Sequence, residues 1–160
     1  METQATSRSK QQTSHEFYKK LYKLTVAGGV AFWAANFAIS LTPIAAEYRA
    51  ALSISYLPMI VESLIGGLII GFFVSYFLLR FFDKIPTKNP ILKSVILSFV
   101  ALGIVLILLG VAASRTSDAL HIFLIGVTFN IPRFLFVGVA IGYLYKRLYG
   151  SESLRQSDKH

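Results

Sequence analysis

Four apolar stretches, at about residues 24–42, 57–79, 92–113 and 119–145, take up most of this chain, and each is long enough to cross a bilayer as a helix. A crossing needs about 20 apolar residues to match a hydrocarbon core about 30 Å thick. Backbone polar groups in lipid must be satisfied within their own segment, so stretches of this kind become helices. The chain has 160 residues, 54% of them hydrophobic and only 15% charged, which is too apolar for a soluble domain of that size. The expected fold is an all-α integral membrane protein, a four-transmembrane-helix bundle occupying residues 14–150.

The flanks are of a different character. Residues 1–13 are rich in Ser, Thr, Gln and charge and lack apolar periodicity, which predicts a disordered tail, and residues 151–160 form a second tail. Thr13 and Glu16 have the spacing of a capping box, and Phe17, Leu21 and Leu24 then recur at helical intervals beside Lys19, Lys20 and Lys23. This pattern predicts a short amphipathic interfacial helix that bends into the first span or continues as it. The first span has no charge and carries a stripe of Ala27, Ala31 and Ala35. It is longer than a signal-peptide core, contains Asn36 and has no clean small-x-small cleavage site near Ala46, so it is expected in the mature protein.

Lysine and arginine fix the expected orientation, because translocation disfavours moving them across the membrane. Thirteen of them lie in the two tails, the interfacial helix and the middle loop; only Arg49 and Arg115 lie in the two opposite connections. Both termini are therefore expected in the cytoplasm, and the size and lack of a targeting signal point to a prokaryotic plasma membrane. The net charge of +8 is accounted for by this topology rather than by a nucleic-acid partner. The chain has no cysteine, which excludes disulfides, thiolate chemistry and cysteine-based metal centres.

Lipid gives helices no hydrophobic reason to associate, so packing depends on small residues that let backbones approach. Ser63, Gly67, Gly71 and Ser75 recur at four-residue spacing in the second span, and Gly138 and Gly142 repeat the theme in the fourth. These positions are expected to face other helices. Trp33 lies mid-span, away from the interfacial belts where Trp usually sits, and has no expected role beyond packing.

Arg133 falls about fourteen positions into the fourth span, and Glu62 is the acid carried within the second. A charge near mid-bilayer costs from about 3 to more than about 10 kcal/mol, so it must face a counter-charge, a water-filled cavity or the bundle interior. Glu62 precedes Gly67 by five residues and Arg133 precedes Gly138 by five, which suggests similar depth. Counting from the outer ends instead sets Arg133 about 12 Å deeper. Pro132 removes a backbone donor and frees the Thr128 carbonyl, which predicts a kink there. Asn36, Glu62, Asn130 and Arg133 form the expected intramembrane polar cluster. His121, at the outer end of the fourth span, reads as an interface residue.

No HExxH pair, GxSxG elbow or Gly-rich phosphate loop is present, so no enzyme, metal or cofactor is expected. Two functional classes fit. One is a membrane subunit or scaffold in which Glu62 and Arg133 are a buried structural pair, with the bilayer, a second copy or other membrane subunits as partners. The alternative is a small transporter or channel-like protein handling an anion, or coupling to protons, through the same cluster. The scaffold is the broader class and is the first expectation from sequence.

Overall fold

A computed structural model describes residues 2–157, with side chains described for residues 14–150. The expected tails, 1–13 and 151–160, lie outside the residues with described side chains. The described chain runs through α1 (Glu2–Ser40), α2 (Pro43–Ala51), α3 (Tyr56–Arg80), a 3-10 turn (Phe82–Lys84), α4 (Pro90–Ala113) and α5 (Ala119–Ser157), with no strand among the described residues. Three segments are long and apolar enough to cross a bilayer: α3, α4 and the Ala119–Gly150 part of α5. A fourth crossing results if Ser14–Ser40 and Pro43–Ala51, which meet at 98°, count as one bent span. The interfacial helix is not a separate element, because α1 continues through it into the apolar segment.

The bend between α1 and α2 has a local cause. Thr42 supplies one hydroxyl to both helix ends: it donates to the Ile39 carbonyl at 2.8 Å and accepts from the Ala45 amide at 3.3 Å. Pro43 follows at the first helical position, where its missing N–H costs nothing. Arg49 then reaches back and donates to the Ser40 carbonyl at 3.2 Å, supplying the C-terminal positive charge that the last turn of α1 lacks. The connection from α1 to α3 is thus a folded helix rather than a bare link.

α1 lies between α3 and α5, and α4 packs against α5. α3 and α4 touch less, and the space between them is an apolar groove of about 400 Å³ lined by residues such as Ile69, Phe73, Val100 and Ile104. The buried core comprises Leu24, Phe32, Val74, Leu78, Leu102, Phe134, Val137 and Ile141. Much of the outer surface is apolar too, with Leu57, Val61, Ile65 and Ile69 of α3 and Ile104, Ile107, Leu108 and Val111 of α4 all exposed. A surface of that kind is compatible with insertion among lipid chains.

Two backbone crossings set this arrangement. At the first, a Cβ on Gly71 would lie 2.7 Å from the Thr25 carbonyl oxygen, and one on Gly67 would lie 2.9 Å from that of Gly29. At the second, a Cβ on Gly142 would lie 2.4 Å from Ile91 Cα, and one on Gly138 would lie 2.7 Å from Val95 Cα. The obstacles are backbone atoms, so a methyl group at these positions has to push two helices apart. The small-residue face of α3 meets Gly28 and Gly29 of α1, while the Ala27, Ala31 and Ala35 stripe is only half-buried. α5 runs unbroken through Pro132.

The lysine-rich ends of α1, α4 and α5 converge. Lys20 lies over the Tyr149 ring at 4.5 Å, Phe82 stacks on Tyr145 at 4.9 Å, and the Lys93 ammonium donates to the Phe82 carbonyl. Lys93 is only 4% exposed, so its charge depends on that carbonyl and on the Phe82 ring 3.7 Å away.

In detergent, Gly71→Ala and Gly142→Ala are each expected to lower unfolding stability by about 1–3 kcal/mol, the usual cost of overpacking. Gly66, whose Cβ would meet nothing within 4 Å, serves as the control. Gly66→Ala should be neutral, or stabilising by up to about 1 kcal/mol through helix propensity. Equal losses at all three positions would remove the crossings from the explanation.

Candidate functional site

At the end opposite the lysine-rich one, α1, α2, α3 and α5 enclose a cavity of about 270 Å³. α1 contributes Phe32, Asn36 and Ser40; α2 contributes Ala45, Tyr48 and Arg49; α3 contributes Met59, Glu62 and Ser63; and α5 contributes Phe129 and Arg133. Three members of the expected polar cluster, Asn36, Glu62 and Arg133, therefore line one space. The fourth, Asn130, sits behind it: its amide donates to the Gly126 carbonyl at 2.8 Å, and its Oδ1 takes a long 3.5 Å contact from Arg133 Nη1.

A direct Glu62–Arg133 pair, one of the two arrangements that the sequence leaves open, is not formed. Among the described residues no ion pair joins them, and Glu62 is exposed rather than buried. Helix geometry gives the reason. Glu62 lies one residue, or about 100° around the helix, from the Ser63, Gly67, Gly71 and Ser75 stripe that turns toward α1. The glycine crossing fixes the rotation of α3 and leaves the carboxylate on the flank. Arg133 is drawn the other way, toward Asn130 Oδ1 and the Phe129 ring, whose centre is 5.9 Å from the guanidinium carbon.

Two donors on the cavity residues are buried without a protein hydrogen-bond partner: Asn36 Nδ2 and Arg133 Nε. Asn36 itself is 3% exposed. An unsatisfied buried donor costs about 1–3 kcal/mol, and more where the group is charged, so this wall calls for an acceptor. Thr25, Ser75 and Ser94 also carry unpartnered hydroxyls, but those residues do not line the cavity.

Arg49 is otherwise engaged, with the Ser40 carbonyl and with the Tyr56 ring 5.1 Å from its guanidinium carbon. It anchors α2 over the cavity. α2 is held to α5 at two further points: Tyr48 meets Phe129 edge-on at 6.1 Å, and His121 Nε2 lies 3.0 Å from Glu47 Oε1. Gly126 makes room for the first, since a Cβ there would lie 3.1 Å from the Tyr48 hydroxyl. The exposed His121–Glu47 pair contributes little stability, about 1 kcal/mol at most, but it fixes where α2 sits. Toward the lysine-rich end, Phe32 packs edge-on against fully buried Phe134 at 5.8 Å, and the apolar core closes that side.

Sequence reasoning missed α2 as part of the site, although Thr42 followed by Pro43 is a recognisable helix start. The partnership of His121 with Glu47 spans 74 residues and has no local signal. No family model matches this sequence, and no curated protein or solved structure matches it either.

A double-mutant cycle tests the separation of the two charges. Glu62→Gln and Arg133→Met should change thermal stability additively, with a coupling energy within about 0.5 kcal/mol of zero. A coupling of several kcal/mol, with the double variant recovering stability, would restore the direct pair.

Proposed function

We propose that this chain is a non-enzymatic, four-span plasma-membrane protein, with both termini cytoplasmic, that takes a small anion into an outward-facing cavity as a transporter or channel-like protein. The observation that carries this reading is that two residues lining one 270 Å³ space, Asn36 on α1 and Arg133 on α5, each carry a buried donor without a protein partner. A guanidinium on the lining is suited to charge-assisted hydrogen bonds with a carboxylate or a similar oxyanion, and an amide N–H can add a neutral one. The scaffold reading rests on a closed Glu62–Arg133 bridge, and these two residues stand apart.

The orientation is supported by the thirteen-to-two asymmetry of Lys and Arg and by the gathering of Lys20 and Lys93 at the end away from the cavity. In that orientation the cavity opens outward and the Phe32–Phe134 contact closes the inward path. A transport cycle would have to open that contact while closing α2 over the mouth.

Calorimetric titration of the detergent-solubilised protein with propionate and with phosphate at fixed ionic strength tests the reading. Saturable binding of at least one of them is expected. Arg133→Met should weaken it by at least about tenfold, and Arg133→Lys should retain part of it. Absence of saturable binding, or equal binding by Arg133→Met, would return the scaffold reading.

A further inference from the structure

The cavity has a second chemical feature that a simple anion does not use. Glu62 lines it from α3, opposite in charge to Arg133 and more than 4.0 Å from it. Opposite charges that line one space attract, weakly where one of them is solvated, as exposed Glu62 is. Here both walls are held. α3 is fixed against α1 through Gly67 and Gly71, and the Arg133 guanidinium is held on the α5 side by Asn130 and Phe129. The helix positions, and with them the two ends of the gap, are thus set by packing outside the cavity.

A ligand that uses both charges carries a negative group for Arg133 and Asn36 and a positive group for Glu62, within a space of about 270 Å³. We infer that the cavity binds a small zwitterion of the α-amino acid type, its carboxylate on Arg133 and Asn36 and its ammonium on Glu62. Asn36 supports the carboxylate end independently of charge, being 3% exposed with an unpartnered amide N–H. The ammonium has three donors and no acceptor, which suits the carboxylate of Glu62. Phe32, Phe129, Met59 and Ala45 supply apolar wall for the ligand's side chain. Arg49, also in the lining, gives one donor to the Ser40 carbonyl and lies against the Tyr56 ring, which holds it to the α1 and α3 side of the cavity.

This assignment rests on the anion site proposed above, and the experiment separates the two. Three amino acids are compared with their deaminated counterparts by calorimetry on the full chain in detergent: alanine with propionate, leucine with 4-methylpentanoate, and phenylalanine with 3-phenylpropionate. At least one amino acid should bind about tenfold or more tightly than its counterpart, the scale of one added charge-assisted hydrogen bond. Glu62→Gln should erase that preference by weakening the amino acids, with carboxylate affinity kept or raised because a repelling charge is gone, and Glu62→Asp should keep part of it. Retained carboxylate binding by Glu62→Gln also reports that the variant is folded.

If the carboxylates bind as tightly as their amino acids and Arg133→Met abolishes both, the zwitterion assignment is overturned and the anion site stands. A preference that survives in Glu62→Gln likewise overturns the assignment. If no member of any pair binds, the zwitterion assignment falls, and if phosphate does not bind either the anion reading falls with it.

Discussion

A guanidinium placed within an apolar helix must be given water, a counter-charge or acceptors, and the half of this molecule away from the lysine-rich end is organised around meeting that demand at Arg133. α1 brings Asn36 to the same level, α3 brings Glu62, and α2 folds back to bring Tyr48 and Arg49. The result is a polar recess inside an otherwise apolar bundle. Below it the chain reverts to close apolar packing, beginning at the Phe32–Phe134 contact and continuing through Val137 and Ile141.

The recess stays open because the helices are positioned by contacts elsewhere. Gly67 and Gly71 seat α3 on α1, and Gly138 and Gly142 seat α5 on α4, at distances that exclude a side chain. Those crossings fix helix rotation, and rotation decides which flank each charge occupies. Packing thus acts on function through geometry: the same glycines that bring helices together keep Glu62 from closing onto Arg133.

Much of this was legible in the sequence, for identifiable reasons. Apolar length revealed the helices, and i+4 spacing of small residues revealed the faces of α3 and α5 where backbones approach. Arg133 was conspicuous because a charge in an apolar run is costly. What stayed hidden depends on rotation or on distant partners. Glu62 sits one residue from the glycine stripe, and a one-residue offset moves it from the interior to the flank. Gly28 and Gly29 lie next to the alanine stripe that drew attention in the first span, yet they are the residues that meet Gly67 and Gly71. α2 was read as a connection although Thr42 and Pro43 mark its start, and the tether from Glu47 to His121 has no expression in local sequence.

The most direct test of the account is whether water reaches the recess from the outside. The chain has no cysteine, so single thiols can be introduced without background. In sealed vesicles of defined orientation, Ser63→Cys, on the cavity wall, should react with a membrane-impermeant maleimide applied to the outer face. Ser75→Cys, about 18 Å deeper on the same helix stripe and fully buried, should not. Protection of Ser63→Cys from the outer face, or labelling of it from the lysine-rich side alone, would contradict an outward-facing aqueous cavity around Arg133.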